Sequence, residues 1–339
     1  MPTHGVLPDG VLPDGEIEKA AEHGWVSAAA PFVADQIQPA SLDLRLSDKV
    51  FRVRASFLPG AGVKVAERLT RDLVMHEIDI SRGAVLETGC VYLAPLQEEV
   101  ELPDFLHGAA NPKSSTGRID VFTRLSVDGA TAFDHVPAGY AGPLWAEICP
   151  RTFSILVRPG DRLSQLRFRR GPTHPKHESN FSIDLALKGP VGFRAKRHAG
   201  VIDLGRIGAY DPRDFWEPLA ARGGTLVLDP GEFYIFASKE NVLIPADEAA
   251  EMAPIRPELG EFRAHYAGFF DPGFGIDKPG KAVLEVRARD APFILEDGQP
   301  VGKLVFEPLS APAKRLYGES GVNNYQGQGL KLSKHFAPW

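Results

Sequence analysis

The sequence predicts a mainly β protein made of two tandem barrel-like or sandwich-like domains, with few and short helices. Three observations predict it. Glycine and proline are abundant, at 34 and 29 of 339 residues, as many tight turns require. The apolar runs have strand length, not helix length. The second half of the chain also repeats features of the first at a nearly fixed offset, the mark of a duplicated unit. The length agrees, at roughly 150 residues per domain.

The repeat is specific. Glu87-Thr-Gly-Cys-Val-Tyr92 is answered by Asp229-Pro-Gly-Glu-Phe-Tyr234, an offset of 142 that continues through Glu98/Glu240, Val100/Val242 and Pro103/Pro245. Gly142-Pro-Leu-Trp-Ala-Glu147 is answered by Gly280-Lys-Ala-Val-Leu-Glu285 at 138, an offset that also holds for Gly160/Gly298, Leu166/Leu304 and Phe168/Phe306. The change of offset places a length difference between Pro103 and Gly142. Nearer the start of each copy, Leu42-Asp43-Leu44 resembles Ile202-Asp203-Leu204.

Each element follows from local pattern. Residues 50–54 and 154–158 alternate or run apolar at strand length, and Pro159-Gly160-Asp161 punctuates the second. In the second copy 231–237 and 302–306 read the same way. Only Glu16–His23 and Asp247–Met252 suggest helix. Residues 169–197, with Gly-Pro, His-Pro and scattered charge, suggest a connector. The expected division is 1–172 and 173–339.

Composition excludes several classes. At 43% hydrophobic and 24% charged the chain is not disordered, and no apolar run of membrane-spanning length occurs. Residues 1–10 lack both a basic segment and a long apolar core, so no secretory signal is expected. A net charge of −6 disfavours a nucleic-acid binder but allows a small anionic substrate held by local cations. Cys90 and Cys149 are too few for a disulfide framework or a cysteine-rich zinc site, which suggests a reducing, cytoplasmic setting and buried small side chains.

Three stretches carry chemistry. In Lys113-Ser114-Ser115-Thr116-Gly117-Arg118, hydroxyls, backbone N–H groups and two cations can cradle phosphate; the plain alternative is a Ser-rich surface turn. Glu147 ends an apolar strand, where a desolvated carboxylate holds its proton more tightly and suits proton transfer; the alternative is a solvent-facing edge residue. Glu285 recurs at the equivalent place. The polar, glycine-rich tail 317–329 could close over a ligand or be a loose terminus.

Together these residues resemble the dCTP deaminases of the trimeric dUTPase superfamily. The resemblance rests on Gln38-Pro-Ala-Ser-Leu-Asp43-Leu-Arg45, the 113–118 motif, the Gly-aromatic-x-Gly-x₄-Glu strand at 139–147, Pro-Gly-x₄-Gln-Leu-x-Phe at 159–168 and Tyr325-Gln-Gly-Gln328, in a double-length version. It implies dUTPase-like distorted β-barrel or jelly-roll domains and hydrolysis of dCTP to dUTP and ammonia. It further implies Mg²⁺ carried with the triphosphate, no zinc, and a homo-oligomer, with a trimer suspected. It assigns proton transfer to Glu147 or Glu285, with Ser114 and Arg118 at the pyrimidine and phosphates. Lys113, Ser115 and Gly117 share that loop. The tail residues match Tyr317, Asn324, Tyr325 and Gln328, so the family's tail lysine is missing. The lead-in Asp271-Pro-Gly-Phe274 occurs only in the second copy, and Glu285 follows its Gly273 with four extra residues, so spacing favours Glu147. The region near 255–262 lacks the Ser-Ser-x-x-Arg motif, so a composite site shared between copies or chains is expected.

The chemistry agrees with this resemblance. Zinc cytidine deaminases need Cys-x-x-Cys, which is absent, so a carboxylate must move the water proton. The rival readings are a dUTPase, a bifunctional deaminase–dUTPase, and an inactive nucleotide-binding regulator on the same fold.

Overall fold

The computed structural model describes residues 8–172, 174–253, 262–264, 268–288, 291–319 and 324–339. The protein is mainly β, and none of the described helices is long and apolar enough to cross a membrane. In the first half, one sheet runs His135–Val136, Leu106–Pro112, Arg162–Arg170, Ser41–Arg45, Ile37–Gln38, with Gly10–Val11 added along Arg162–Arg170. The other runs Val121–Val127, Ala141–Pro150, Val91–Glu101, Lys49–Val53, Val74–Asp79, with Val26–Ala28 on Val91–Glu101. In the second half, one sheet is Trp216–Leu219, Gly192–Ala195, Phe233–Val242, Gly280–Ala288, Phe262–Ala264. The other is His177–Ser182, Pro300–Pro308, Glu248–Ala253, Phe269–Phe270.

Matching strands keep matching partners. Leu106–Pro112 pairs with Arg162–Arg170 as Glu248–Ala253 pairs with Pro300–Pro308. The hydroxyl of Tyr92 accepts the Glu87 N–H at 2.9 Å, and that of Tyr234 accepts the Asp229 N–H at 2.9 Å. Each tyrosine thus closes the turn before its own strand.

Three expectations are overturned. Residues 247–252 are not helical: Glu248–Ala253 is a strand held between Pro300–Pro308 and Phe269–Phe270. It is buried over most of its length, so it lacks the alternation that marks a half-exposed strand, and pairing overrides the helix preference of its alanines. The 169–197 stretch is no connector, because His177–Ser182 and Gly192–Ala195 are strands of the second half. Its first strand reads as polar because His177 to Asn180 are exposed on a sheet edge. Finally, Ile202–Asp203 does not correspond to 42–44; it pairs in parallel with Ile155–Val157 of the first half. Leu44 faces Ser164, and at the 138 offset it is Phe181 that faces Gly302. The helix near the start is present, as Asp14–Glu22. The two cysteines are free and half-buried.

The hydrophobic core crosses residue 172. Phe193, Trp216, Phe233, Ile235 and Val283 of the second half join the first-half cluster around Ile119, Phe153 and Ile155. The Phe153 ring meets Phe215 and Trp216 edge-on at 5.7 and 5.3 Å. Leu332 and Phe336, far down the tail, belong to the same cluster. Alternation explains this: Leu284 and Val286 fill the second half's own interior, while Val283 and Glu285 face the first half.

A buried arginine binds the halves together. The fully buried guanidinium of Arg167 donates to Ala40 O at 3.3 Å, Ala250 O at 3.0 Å and Phe270 O at 3.2 Å, and lies 4.0 Å over the Phe269 ring. Next along the same strand face, Arg169 donates to both oxygens of Glu307 at 2.7 Å and to Glu251 at 2.9 Å. Replacing Arg167 by Met should destabilise the protein by about 3–5 kcal/mol, because it strands buried carbonyls and the Asp271 carboxylate. Urea unfolding measures this; an unmoved midpoint would show that the guanidinium does not clamp the halves.

Candidate active site

A cavity of about 380 Å³ opens between the halves, lined by residues of both halves and of the tail. The first half contributes the phosphate-loop candidate. Leu106–Pro112 ends on the short helix Ser114–Gly117, whose turn is closed by Gly117 N–H to Lys113 O at 3.0 Å and Arg118 N–H to Ser114 O at 3.1 Å. Lys113, Ser114, Ser115 and Arg118 line the cavity; Gly117 is buried behind them. The second half contributes Asp271 and Glu285, and the tail contributes Tyr317, Asn324, Tyr325 and Gln328. Ten of the twelve residues singled out from the sequence therefore meet in one chain, Gly117 and Glu147 being the exceptions.

Glu147 lies elsewhere. It accepts two hydrogen bonds from the facing Arg124, at 2.6 and 3.2 Å, on the sheet of the first half. The closer spacing to Gly139 that favours it carries no weight in three dimensions. The extra residues after Gly273 form a turn beside the tail, where Gly275 N–H donates to Gln326 Oε1 at 3.3 Å, and Glu285 keeps its place on the strand. The region near 255–262 compared with the Ser-Ser-x-x-Arg motif falls mostly outside the described residues.

The tail can approach because of a glycine. Gly273 has φ +92°, and a Cβ there would lie 2.7 Å from Leu316 Cβ and 3.0 Å from Tyr317 N. Tyr317 N–H donates to Pro272 O at 2.8 Å, and its ring rests 5.4 Å from that of Phe274. The tail is not a loose lid throughout. Ser333 Oγ donates to Ser115 O at 2.8 Å, Lys281 N–H to Gln328 O at 2.8 Å, and Leu332, Ser333, His335 and Phe336 are buried.

Arg118 and Glu285 are the central pair. Both side chains are almost wholly buried, and Arg118 Nε stands 4.0 Å from Glu285 Oε1, too far for a hydrogen bond. That Nε has no hydrogen-bond partner among the described residues, while Nη1 donates to Lys331 O at 3.0 Å and the guanidinium lies 3.9 Å over the Tyr325 ring. Burial pushes the Glu285 carboxyl up to about 7, against the opposing pull of Arg118. Burial also pushes Asp271 up to about 6, with Arg167 and Lys113 opposing, and raises the Tyr317 hydroxyl well above its usual range.

The other end of the cavity is charged, with Lys113, Arg162 and Lys334 set among Asp35, Asp43 and Asp161. Lys113 is paired with Asp43, and Arg162 bonds Asp35 at 2.8 Å and Asp43 at 3.4 Å. Lys334 lines the same end; burial and the nearby Lys113 lower its affinity for a proton. Burial lowers His335 to about 4, and its Nδ1 lies 3.0 Å from Ser333 Oγ. Sequence reasoning did not single out Arg162, Lys334 or His335 as site residues. The signal for Lys334 was the Lys331-to-His335 cluster beyond Gln328, where the motif had already ended. Among the described residues no group of three or more His, Cys, Asp or Glu could hold a metal ion.

Comparison with known proteins decides the family. Residues 8–172 match the N-terminal domain, and residues 163–336 the C-terminal domain, of 2'-deoxycytidine 5'-triphosphate deaminase. The chain belongs to the dCTP deaminase family, and so is an enzyme. A crystal structure of 2'-deoxycytidine 5'-triphosphate deaminase from Agrobacterium tumefaciens is similar at 50% identity with a TM-score of 0.85, over 89% of this chain and 99% of that one. Kocuria rhizophila "dCTP deaminase, dUMP-forming" is 40% identical over 48% of this chain and 83% of its own length. Haloarcula marismortui "dCTP deaminase" is 36% identical over 35% of this chain and 60% of its own. The family's double-domain description overlaps the 172/173 division, as the shared core does.

The raised Glu285 gives a sign-definite prediction. Its folded pKa of about 7 exceeds the unfolded 4.5, so the native state loses stability as pH rises from 4.5 through 7. Glu285→Gln removes that titration. The difference in Tm between variant and parent should therefore move in the variant's favour between about pH 5 and pH 8, by a few kcal/mol in free energy. Thermal melts across that range check it; a constant difference would show that the carboxyl does not titrate there.

Proposed function

We propose that this enzyme hydrolyses dCTP to dUTP and ammonia with Glu285 as the proton carrier. The observation that carries the reading is a carboxyl titrating near 7, held beside an unsatisfied Arg118 Nε in a cavity whose far end presents the cations Lys113, Arg162 and Lys334 among three carboxylates. The ionised Glu285 takes a proton from water as its oxygen attacks C4 of the cytosine ring. The carboxyl returns the proton to the amino group, the C4–N bond breaks to release ammonia, and the remaining hydroxyl proton ends on N3 as the C4 carbonyl of uracil forms. Arg118 and the Ser114 hydroxyl stabilise charge that develops at the reacting centre. Lys113, Arg162 and Lys334 face the triphosphate. Tyr317, Asn324, Tyr325 and Gln328 close the pyrimidine end, and Gln328 Oε1 is a buried acceptor with no partner among the described residues. The halves read as two diverged copies, supported by their matching tyrosine turns and strand pairings, and the site is composite within one chain.

Among the described residues no group of three or more His, Cys, Asp or Glu could hold a zinc ion. Mg²⁺ would travel on the phosphate oxygens; Asp43 at that end is already engaged by Lys113 and Arg162. The names of the relatives support a second reading, in which dUMP is the final product. Asp35, Asp43 and Asp161 at the phosphate end are the carboxylates that could orient a second water for that step.

Incubation with dCTP and Mg²⁺ followed by product separation tests the reading. Accumulated dUTP supports deamination alone; dUMP with pyrophosphate supports the second reading; dCTP left unchanged by active, folded protein would refute both. Glu285→Gln should lower turnover by about 10²–10⁴ while dCTP still binds, whereas Glu147→Gln should stay within a few-fold of the parent. The reverse result would return the role to Glu147. Arg118→Ala should cost about 2–5 kcal/mol in kcat/KM. Lys334→Ala should raise KM about tenfold through loss of one phosphate contact, on the order of 1–2 kcal/mol; unchanged KM would remove it from the phosphate site.

A further inference from the structure

We propose that Asp120 and Arg287 are positioning residues that hold Arg118 and Glu285 at their working separation. The inference rests on Glu285 being the proton carrier. Asp120 lies two residues after Arg118, and Arg287 two residues after Glu285 on the same face of the Gly280–Ala288 strand. The two couples carry opposite charge order, plus–minus in the first half and minus–plus in the second. They therefore cross-pair: Arg118 with Glu285 inside the cavity, and Asp120 with Arg287 behind it.

The outer pair is tightly built. Arg287 Nη2 donates to Asp120 Oδ2 and, at 3.2 Å, to Thr152 Oγ1; Thr152 Oγ1 in turn donates to Asp120 Oδ2. Arg287 Nη1 donates to Gly231 O, which ties the guanidinium to its own half. Asp120 O accepts the Arg151 N–H at 2.9 Å, which fixes its backbone. The side chains are 2% and 12% exposed, so water does little to screen the pair.

The backbone of Asp120 is left-handed, as it is at Asp134 and His198. Its φ is +55°, in the left-handed region that a residue with a Cβ enters at a cost and that glycine enters freely. The chain keeps an aspartate there, and its carboxylate spans the two halves. The first half offers a contrast: the position after Glu147 that corresponds to Arg287 holds Cys149, which cannot make such a pair, and Glu147 is tied directly to Arg124. The inner pair has to stay unbonded if Glu285 is to exchange protons. A tight outer pair holds the 4.0 Å gap open without using the reacting groups.

Asp120→Asn, Arg287→Gln and the double variant test this in the full chain. Arg118 and Tyr325 face Glu285 in the cavity, and Arg287 lies two residues along the same face of its strand. Without the Asp120 carboxylate, Arg287 is left uncompensated near Glu285, so Glu285 ionises at lower pH. Without Arg287, Asp120 draws Arg118 away and Glu285 ionises at higher pH. Each single variant should lower kcat, by up to about a hundredfold for a displacement near 1 Å, with KM for dCTP within about threefold. The double variant should be no worse than the poorer single one, and Arg287→Lys should recover part of the loss. The limb of the pH profile of kcat/KM should move in opposite directions in the two singles. Carbon-13 titration of the Glu285 carboxyl in nucleotide-free protein should show the same opposite shifts, without depending on turnover. Parental kcat and an unmoved titration in both singles, or lower Tm as the sole change, would overturn the proposal. Should Asp120→Asn fail to fold, Asp120→Gly relaxes the left-handed backbone and still removes the carboxylate, so it carries the same expected loss. Glu285→Gln measured in parallel separates the failures: retained turnover there overturns the proton-carrier reading, while the carboxyl titration still decides the positioning of the pair.

Discussion

The site depends on one desolvated guanidinium. Arg167 sits in the first half with no exposure to solvent, and its hydrogen bonds go to one carbonyl of its own half and two of the second. A charge so buried is tolerable only where every donor finds an acceptor. That requirement fixes how the strands Glu248–Ala253 and Phe269–Phe270 approach Arg162–Arg170. It also fixes Asp271, whose Oδ1 lies 3.5 Å from Arg167, at the edge of the cavity. The cavity is thus a by-product of how the halves must dock.

Placing the site at this junction explains the unequal content of the halves. The first half supplies the hydroxyl-rich turn and Arg118; the second supplies Asp271 and Glu285. Glu147, once its face of the sheet serves another purpose, sits in an ordinary ion pair with Arg124 beneath the Phe133 ring. Its counterpart Glu285 faces apolar surroundings and a single cation at arm's length, so its proton affinity rises. The two glutamates differ in their cation: Glu147 accepts hydrogen bonds from Arg124, whereas Glu285 stands 4.0 Å from Arg118.

The tail combines two physical regimes. Its segment around 324–328 presents polar groups to the cavity. Its last residues, Leu332 to Phe336, are core. Anchoring the end rather than leaving it free lowers the entropy lost when the polar part orders over a ligand. It also carries Lys334 to the end of the cavity that holds Lys113 and Arg162, in a chain whose tail otherwise lacks a lysine at the expected place.

The sequence by itself determined the β class, the offsets of 142 and 138, the phosphate-loop candidate and the tail aromatics. Each is local: turn residues, short-range alternation and contiguous hydroxyls survive as patterns along the chain. The helix expected at 247–252 failed because an alanine-rich segment buried on both faces has no periodicity to read. The choice between Glu147 and Glu285 was likewise not legible, since spacing from a glycine says nothing about which sheet face meets the other half. Only the tertiary structure places Glu285 in the cavity and Glu147 outside it, and shows Arg162, Lys334 and the Asp120–Arg287 pair. Desolvation and the pairing of charges across 167 residues of chain, from Asp120 to Arg287, are properties of the docked halves and leave no contiguous mark in sequence.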